Sequence, residues 1–407
     1  MAWKECDLVS SRREFVELAS VEGADMKRLC ERFGIARKTG YKWLARYRAA
    51  GVASLADRSR RPHRSRRATP PDAEAAVLAA RDLHPAWGGR KLHHWLLAQA
   101  RSDVPAPSTI TAILRRHGRL DPAAARPRRD WIRFEYPEPN DLWQMDFKGG
   151  FLLSDGGWCF PLTVLDDHSR FALGVRACGD QTGATVRRHL TEIFRVYGLP
   201  RAILADNGGP WGVSHAPETY TRLTVWLLRL GVRIRHGRPY HPQTQGKDER
   251  FHRTLNAEAI RRGPIDDLGH AQKRFDPWRE VYNHERPHEA LKMAVPSSRY
   301  RISSRTFQEA LPPVEYADDV ECRRVNPSGQ FSFRGRIFKV SEAFGGERVG
   351  LRGTVEDGAW DLLYGAEVIG RVDLKATGTG TRLGTAVGRP IKRAAMAGQP
   401  DRATGQE

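Results

Sequence analysis

Three carboxylates stand where a solvated charge is not expected. Asp146 lies inside the run DLWQMDF, between Met145 and Phe147, and period-2 alternation puts it on one face with Leu142 and Gln144. An aspartate embedded in a strand is costly unless something pairs with it. Asp206 follows Ala202, Ile203, Leu204 and Ala205 and precedes Asn207, Gly208 and Gly209, so it sits at the carboxyl end of a strand, where α/β sheets build their sites. Glu249 stands in QTQGKDERFHRTL, near the start of a helix whose Phe251 and Leu255 form an apolar i, i+4 pair on another face. Its own face carries His252, Arg253 and Asn256. Only a fold can gather three such distant residues, and gathered carboxylates require a cation. Hard oxygen donors without cysteine or an obligatory histidine suit Mg²⁺ or Mn²⁺, and a pair of such ions can clamp the attacking and leaving oxygens of a phosphodiester. Taken singly, each carboxylate reads first as a turn former or a surface charge; the joint pattern reverses that.

The elements that must position them alternate strand and helix. Strand-like runs at 141–147, 158–165, 170–178 and 201–205 are rich in β-branched or aromatic residues and bounded by Gly, Asp or Asn. Val186, Leu190, Ile193, Phe194 and Tyr197 mark one amphipathic helix, and Leu223, Trp226, Leu227 and Leu230 the next, followed by the short strand VRIRH. Three strands, helix, strand, helix, short strand and helix make an α/β layer with a mixed sheet. From 315 to 375, short runs such as FSFRG, RIFKV and AEVIGRVDL alternate with glycines, as in a small antiparallel β-barrel.

The charge explains the other partner. The chain of 407 residues has 67 Lys+Arg against 48 Asp+Glu, a net charge of +19, which points to a polyanion. Residues 1–138 hold 28 basic and 16 acidic residues (+12), 139–300 hold 23 and 18 (+5), and the rest 16 and 14 (+2). The grip is therefore concentrated in the first third. There, Met26, Leu29, Cys30 and Phe33 keep helical spacing, Gly34 interrupts, and Tyr41, Leu44 and Tyr47 resume it: helix, turn, helix. The second helix carries Arg37, Lys38, Thr39, Lys42 and Arg46, the donor types that meet phosphates and base edges. The run RSRRPHRSRR, with Arg60, Arg61 and Arg64, fits an arm along a phosphate backbone. A second, weaker unit places Leu92, Trp95 and Leu96 on one helix and Ile110, Ile113 and Leu114 on another capped by Ser108, with Arg90, Lys91, Arg115 and Arg116 as its exposed candidates. No apolar run spans a membrane, the amino terminus lacks a secretory pattern, and five scattered cysteines without a CxxC pair suggest neither disulfides nor zinc. A cytoplasmic, nucleoid-associated protein with no membrane or small-molecule partner is expected.

DLWQMDFKG, LADNGGPWG, RPYHPQTQGKDERFHRTL and YNHERPHEAL closely resemble the catalytic domain of insertion-sequence transposases, in the retroviral-integrase superfamily. WGGRKL at 87–92 resembles the same family's DNA-end-binding region, so the similarity spans most of the chain. The resemblance implies an RNase H-like core with a five-stranded mixed sheet, the first aspartate on its central strand and the second at the end of the fourth. It puts Asp146, Asp206 and Glu249 on the family's Asp-Asp-Glu metal triad, holding two Mg²⁺ (or Mn²⁺) ions. Two departures stand out. The interval from Asp206 to Glu249 is long, and the basic residue many relatives carry seven positions after the glutamate is Asn256 here, leaving Lys247 and Arg253 as the DNA contacts. The amino-terminal zinc module of retroviral integrases is not matched.

The expected organisation is a helix-turn-helix domain at 1–57, an Arg-rich linker at 58–69, a second such domain at 70–120, a basic linker at 121–138, the catalytic core at 139–300, the barrel at 301–375 and a disordered tail at 376–407. The expected activity is binding of terminal inverted repeats in double-stranded DNA, hydrolysis at the element end and strand transfer into a target, by a homodimer or larger assembly. A nuclease that only cleaves, and an inert DNA-binding regulator, are the alternatives. Asp166 and Asp167 in LDDHSRF read first as turn formers, His241 and Gln243 as loop residues, and Arg286 and His288 as packing.

Overall fold

A computed structural model describes residues 8–57, 69–120, 135–206, 208–212, 220–236, 246–311 and 313–375. The Arg-rich run with Arg60, Arg61 and Arg64, His241, Gln243 and the tail from 376 lie outside the described residues. The chain divides into two compact units, Met1–Thr69 and Pro70–Glu407.

In the first unit, α1 (Leu8–Ala19), α2 (Met26–Arg32) and α3 (Arg37–Ala50) enclose Phe15, Val16, Cys30, Trp43 and Leu44. Asp25 caps α2, accepting from the amides of Lys27 and Arg28. The turn passes through Gly34 at φ +64°, a left-handed conformation that glycine adopts without cost. Gly40 is required for another reason: a Cβ there would stand 2.6 Å from Cys30 Sγ and 2.8 Å from the Phe15 ring, so α3 could not lie this close.

The second unit begins with three helices, α4 (Pro71–Leu83), α5 (Gly89–Ala98) and α6 (Pro107–Arg116), around Val77, Trp87, Leu92, Ile110 and Leu114. Ser108 does not cap α6; Pro107 opens it after Ala106, its fixed φ serving the first turn instead. The catalytic layer follows: β1 (Trp143–Phe147), β2 (Phe151–Leu152), β3 (Trp158–Asp166), β4 (Ala172–Cys178), α7 (Gly183–Tyr197), β5 (Ala202–Ala205), α8 (Arg222–Arg229), β6 (Arg233–His236), α9 (Gly246–Glu258) and α10 (Leu268–His284). The main sheet runs β4-β3-β1-β5-β6, antiparallel on the β4 side and parallel from β1 to β6, with β1 central and β2 a short addition against β3. One face packs on α7 and α8 through Leu162, Val164, Leu190, Phe194 and Leu227, the other on α9 and α10 through Leu165, Val175, Phe251 and Phe275. The edge of β4 is not left open. Asn283 exchanges two hydrogen bonds with the backbone of Ala172, and Gln272 bonds the backbone of Ala177 and Val175, so α10 satisfies the groups a further strand would have taken.

The carboxyl region differs from the barrel expected of it. β7 (Glu321–Arg324), β10 (Arg348–Gly353), β11 (Ala359–Tyr364) and β12 (Glu367–Asp373) form one antiparallel sheet, while β8 (Gln330–Phe333) and β9 (Arg336–Lys339) pair only with each other. Among the described residues the two sheets do not close. They share a core of Phe331, Phe333, Phe338, Val349 and Leu362 that also takes in Val225 of α8, so the module is seated on the catalytic layer rather than sealed on itself.

Candidate active site

Asp146 and Asp206 are brought together by strand register. β1 pairs with β5 in parallel, Trp143 opposite Ile203 and Gln144 opposite Leu204. Two residues further along each strand are Asp146 and Asp206, and adjacent strands lie about 4.8 Å apart. Asp146 is half-buried, and its carboxyl is pushed up to about 7, first by burial and then by the negative charge of Asp206. The Asp206 carboxylate accepts from the amide of Gly208 at 3.0 Å, and its backbone carbonyl meets His236 Nδ1 at 2.8 Å.

α9 supplies the opposite wall. His252 Nδ1 lies 4.0 Å from the Asp146 carboxylate, and its Nε2 is 2.8 Å from Thr163 Oγ1, which donates in turn to the Asp146 carbonyl at 3.0 Å. Burial and then Lys148 push the His252 imidazole down to about 4, so it is neutral at pH 7 and does not offset the aspartate charges. Glu249 is exposed in the first turn of α9, while its neighbour Asp248 is 3% exposed with Oδ1 lacking a hydrogen-bond partner. Among the described residues no three His, Cys, Asp or Glu side chains are close enough to hold a metal ion, so Glu249 does not form such a cluster with the two aspartates. The donor chemistry still fits a hard divalent cation: two repelling carboxylates, one held partly protonated, with a neutral histidine beside them.

Burying this charge beside Asp206 has a measurable cost. The Asp146 carboxyl ordinarily titrates at 3.8 and at about 7 in the folded chain, so the cost of its charge is absent below pH 4, grows between, and is complete above 7. Its side chain is 25% exposed. Discounted for that exposure, about 1–2 kcal/mol is at stake. In chelator, Asp146→Asn is expected to raise Tm by about 2–4 °C at pH 8 and by clearly less at pH 5. An equal gain at both pH values in differential scanning fluorimetry would show that charge is not the cause.

The basic candidates divide. On α3, Arg37, Lys38 and Lys42 are exposed and Thr39 and Arg46 half-buried, Arg46 lying over the Trp43 ring at 4.8 Å. On α5 and α6, Arg90, Arg115 and Arg116 are exposed, although Arg116 pairs with Glu74 and Arg90 lies 3.8 Å from Glu289. Lys91 is not the exposed residue its spacing suggests. It is half-buried near Arg286, Glu258 and Arg250, and burial followed by Arg286 pushes its ammonium down to about 7. Arg253 is exposed, but Lys247 is turned inward and paired with the fully buried Asp167. Asp166 does close the expected turn, accepting from the Ser169 amide and hydroxyl and the Asn140 amide. Sequence spacing did not single out Thr163 or the link from Asp167 to Lys247. The pairing of Thr163 with Asp146 in the β1–β3 register was the available signal for the first.

Comparison with known proteins now decides the family. The integrase core domain family matches residues 137–242 and again 230–296, a span containing Asp146, Asp206, Glu249 and every strand of the main sheet. The C-terminal domain of IS481 family transposases matches residues 320–380. The chain carries the integrase core and the C-terminal domain of insertion-sequence transposases. This transposase also matches a helix-turn-helix domain at 11–63 and a homeodomain-like domain at 39–114, which make it a DNA-binding protein. It is 29% identical over 239 residues to the insertion element IS407 uncharacterized 31.7 kDa protein of Burkholderia multivorans, covering 56% of this chain and 82% of that one. With the insertion element IS476 uncharacterized 39.2 kDa protein of Xanthomonas euvesicatoria it shares 29% identity over 42% of this chain, but spans only 46% of that relative. The insertion element IS136 protein of Agrobacterium fabrum is 41% identical over 30% of this chain and 63% of its own length. Among solved structures, the catalytic core of BIV integrase aligns at TM-score 0.29 and 21% identity over 39% of this chain and 92% of that one, too slight a likeness to argue from. No described helix is long and apolar enough to cross a membrane.

Proposed function

We propose that this transposase binds the terminal inverted repeats of its element, hydrolyses a phosphodiester at each end and joins the freed 3′ end to target DNA. The observation that carries the reading is the pair Asp146 and Asp206, side by side on the parallel strands β1 and β5 of an integrase core, with burial and then the charge of Asp206 raising the Asp146 carboxyl to about 7. Asp146, Asp206 and Glu249 would hold two Mg²⁺ or Mn²⁺ ions, which supply a water of lowered pKa and positive charge for the leaving oxygen. Thr163 and His252 fix the strand and helix that carry the ligands, and the neutral imidazole leaves the carboxylates free for a cation. Arg37, Lys38, Thr39, Lys42 and Arg46 of α3, the arm with Arg60, Arg61 and Arg64, and Arg90, Arg115, Arg116 and Arg253 are the proposed DNA contacts. Joining two ends requires at least two copies.

The test is product length on a denaturing gel. A labelled duplex carrying a candidate end, incubated with a second duplex and Mg²⁺, should yield strands longer than the substrate. Shortened strands alone would favour a nuclease that does not join.

A further inference from the structure

One buried carboxylate touches two of the three elements that carry the proposed ligands, β1 and α9. Asp167, fully buried at the end of β3, accepts from Gln144 Nε2 at 2.6 Å and from the Tyr136 amide at 2.9 Å, and its Oδ1 also takes the ammonium of Lys247. Gln144 lies on β1 two residues before Asp146, on the same face of the strand. Lys247 lies in the first turn of α9 two residues before Glu249. Asp167 is held in turn from its own backbone: Arg170 Nη1 donates to its carbonyl, and its amide donates to the Leu142 carbonyl at 3.0 Å.

We propose that Asp167 and Lys247 form a clamp that holds the first turn of α9, the turn that carries Glu249, to the strand bearing Asp146. The inference rests on the transposase reading and deepens it: Lys247 is a positioning residue for the metal site, not a DNA contact. The pair suits that task because the anchor cannot move. A carboxylate with no exposed surface and donors on β1, on Tyr136 and on α9 has no alternative partner in water, whereas the Lys247 side chain, 14% exposed, is the one link that reaches across to the helix. Among the described residues the next polar link from α9 to the sheet is His252, more than a turn later. Mg²⁺ demands near-ideal octahedral geometry, so a loosened ligand helix lowers turnover more than it lowers binding of DNA.

The experiment compares wild type, Lys247→Met and Lys247→Arg, the last still able to donate to Asp167, with Lys247→Gln as a milder break should the methionine variant not fold. Two readouts are taken: joining of labelled end DNA in Mg²⁺, and amide hydrogen exchange of the full-length protein in chelator. Lys247→Met is expected to lower kcat about 10- to 100-fold with KM for end DNA unchanged. Exchange of the amides of Arg250–Thr254 should quicken about tenfold or more while those of α10 stay as in wild type. Lys247→Arg should recover most of both. Unchanged α9 exchange in the broken variants overturns the clamp. So does an unchanged kcat with raised KM and a salt slope of binding reduced by about one, which is the signature of a phosphate contact. If wild-type protein neither cuts nor joins any end, the transposase reading falls, and the exchange comparison alone still decides the clamp.

Discussion

Asp206→Asn leaves the transposase folded and bound to its element end, and lowers joining by about a thousandfold or more. Asparagine keeps the shape and the oxygen that accepts from the Gly208 amide at 3.0 Å, so the strand end that Asp206 terminates has no reason to move. What it removes is the charge that repels Asp146 and would hold a cation. A thousandfold is about 4 kcal/mol of transition-state stabilisation, a reasonable loss for one ligand of a two-ion site. The proposed DNA contacts are basic residues apart from Asp206, those of α3 in the other compact unit, so a filter-binding Kd should stay within about threefold of wild type. Joining within tenfold of wild type would remove Asp206 from the chemistry.

Arg286→Ala has the largest expected effect on stability, about 3–5 kcal/mol. Arg286 and Glu258 are 5% and 8% exposed and paired at 3.0 Å; Glu258 also accepts from Trp278 Nε1 at 3.2 Å, and the guanidinium lies over the Tyr282 ring. This cluster ties α9 to α10 behind the site. Truncating the arginine leaves Glu258 buried with the indole as its one donor among the described residues, which is worse than never having had the pair. A denaturant midpoint shifted by less than about 1 kcal/mol would mean that water or Lys91 replaces the guanidinium. His288, pressed edge-on against Tyr282 at 4.7 Å, belongs to the same cluster, in keeping with the packing role its sequence suggests.

The strands and helices of the catalytic layer were legible because each keeps one period: alternation in DLWQMDF, and apolar positions three and four apart from Val186 to Tyr197. The same logic located Asp146 and Asp206, since a strand's end and its faces are local properties. Three things were not local. Whether six short carboxyl-terminal strands close into a barrel depends on edge pairing, and here β8 and β9 pair only with each other. The environment of Lys91 depends on α5 packing beside α9 and α10, which helical period cannot reveal. The resemblance offers Lys247 as a DNA contact because Asn256 stands where many relatives carry a basic residue, and only the fold shows Asp167, eighty positions earlier, beneath it. Glu249 is the remaining case: spacing put it on a helix near the site, and the structure has it on α9 but exposed.

The central claim is that Glu249 completes a metal site with Asp146 and Asp206, and counting bound ions tests it most directly. Mn²⁺ titrated into the full-length protein with end DNA, followed by electron paramagnetic resonance, should saturate near two ions per chain in wild type. Glu249→Gln and Asp206→Asn should each lose at least one ion or weaken binding about 10-fold or more. Titrations of Glu249→Gln that superimpose on wild type would contradict the account.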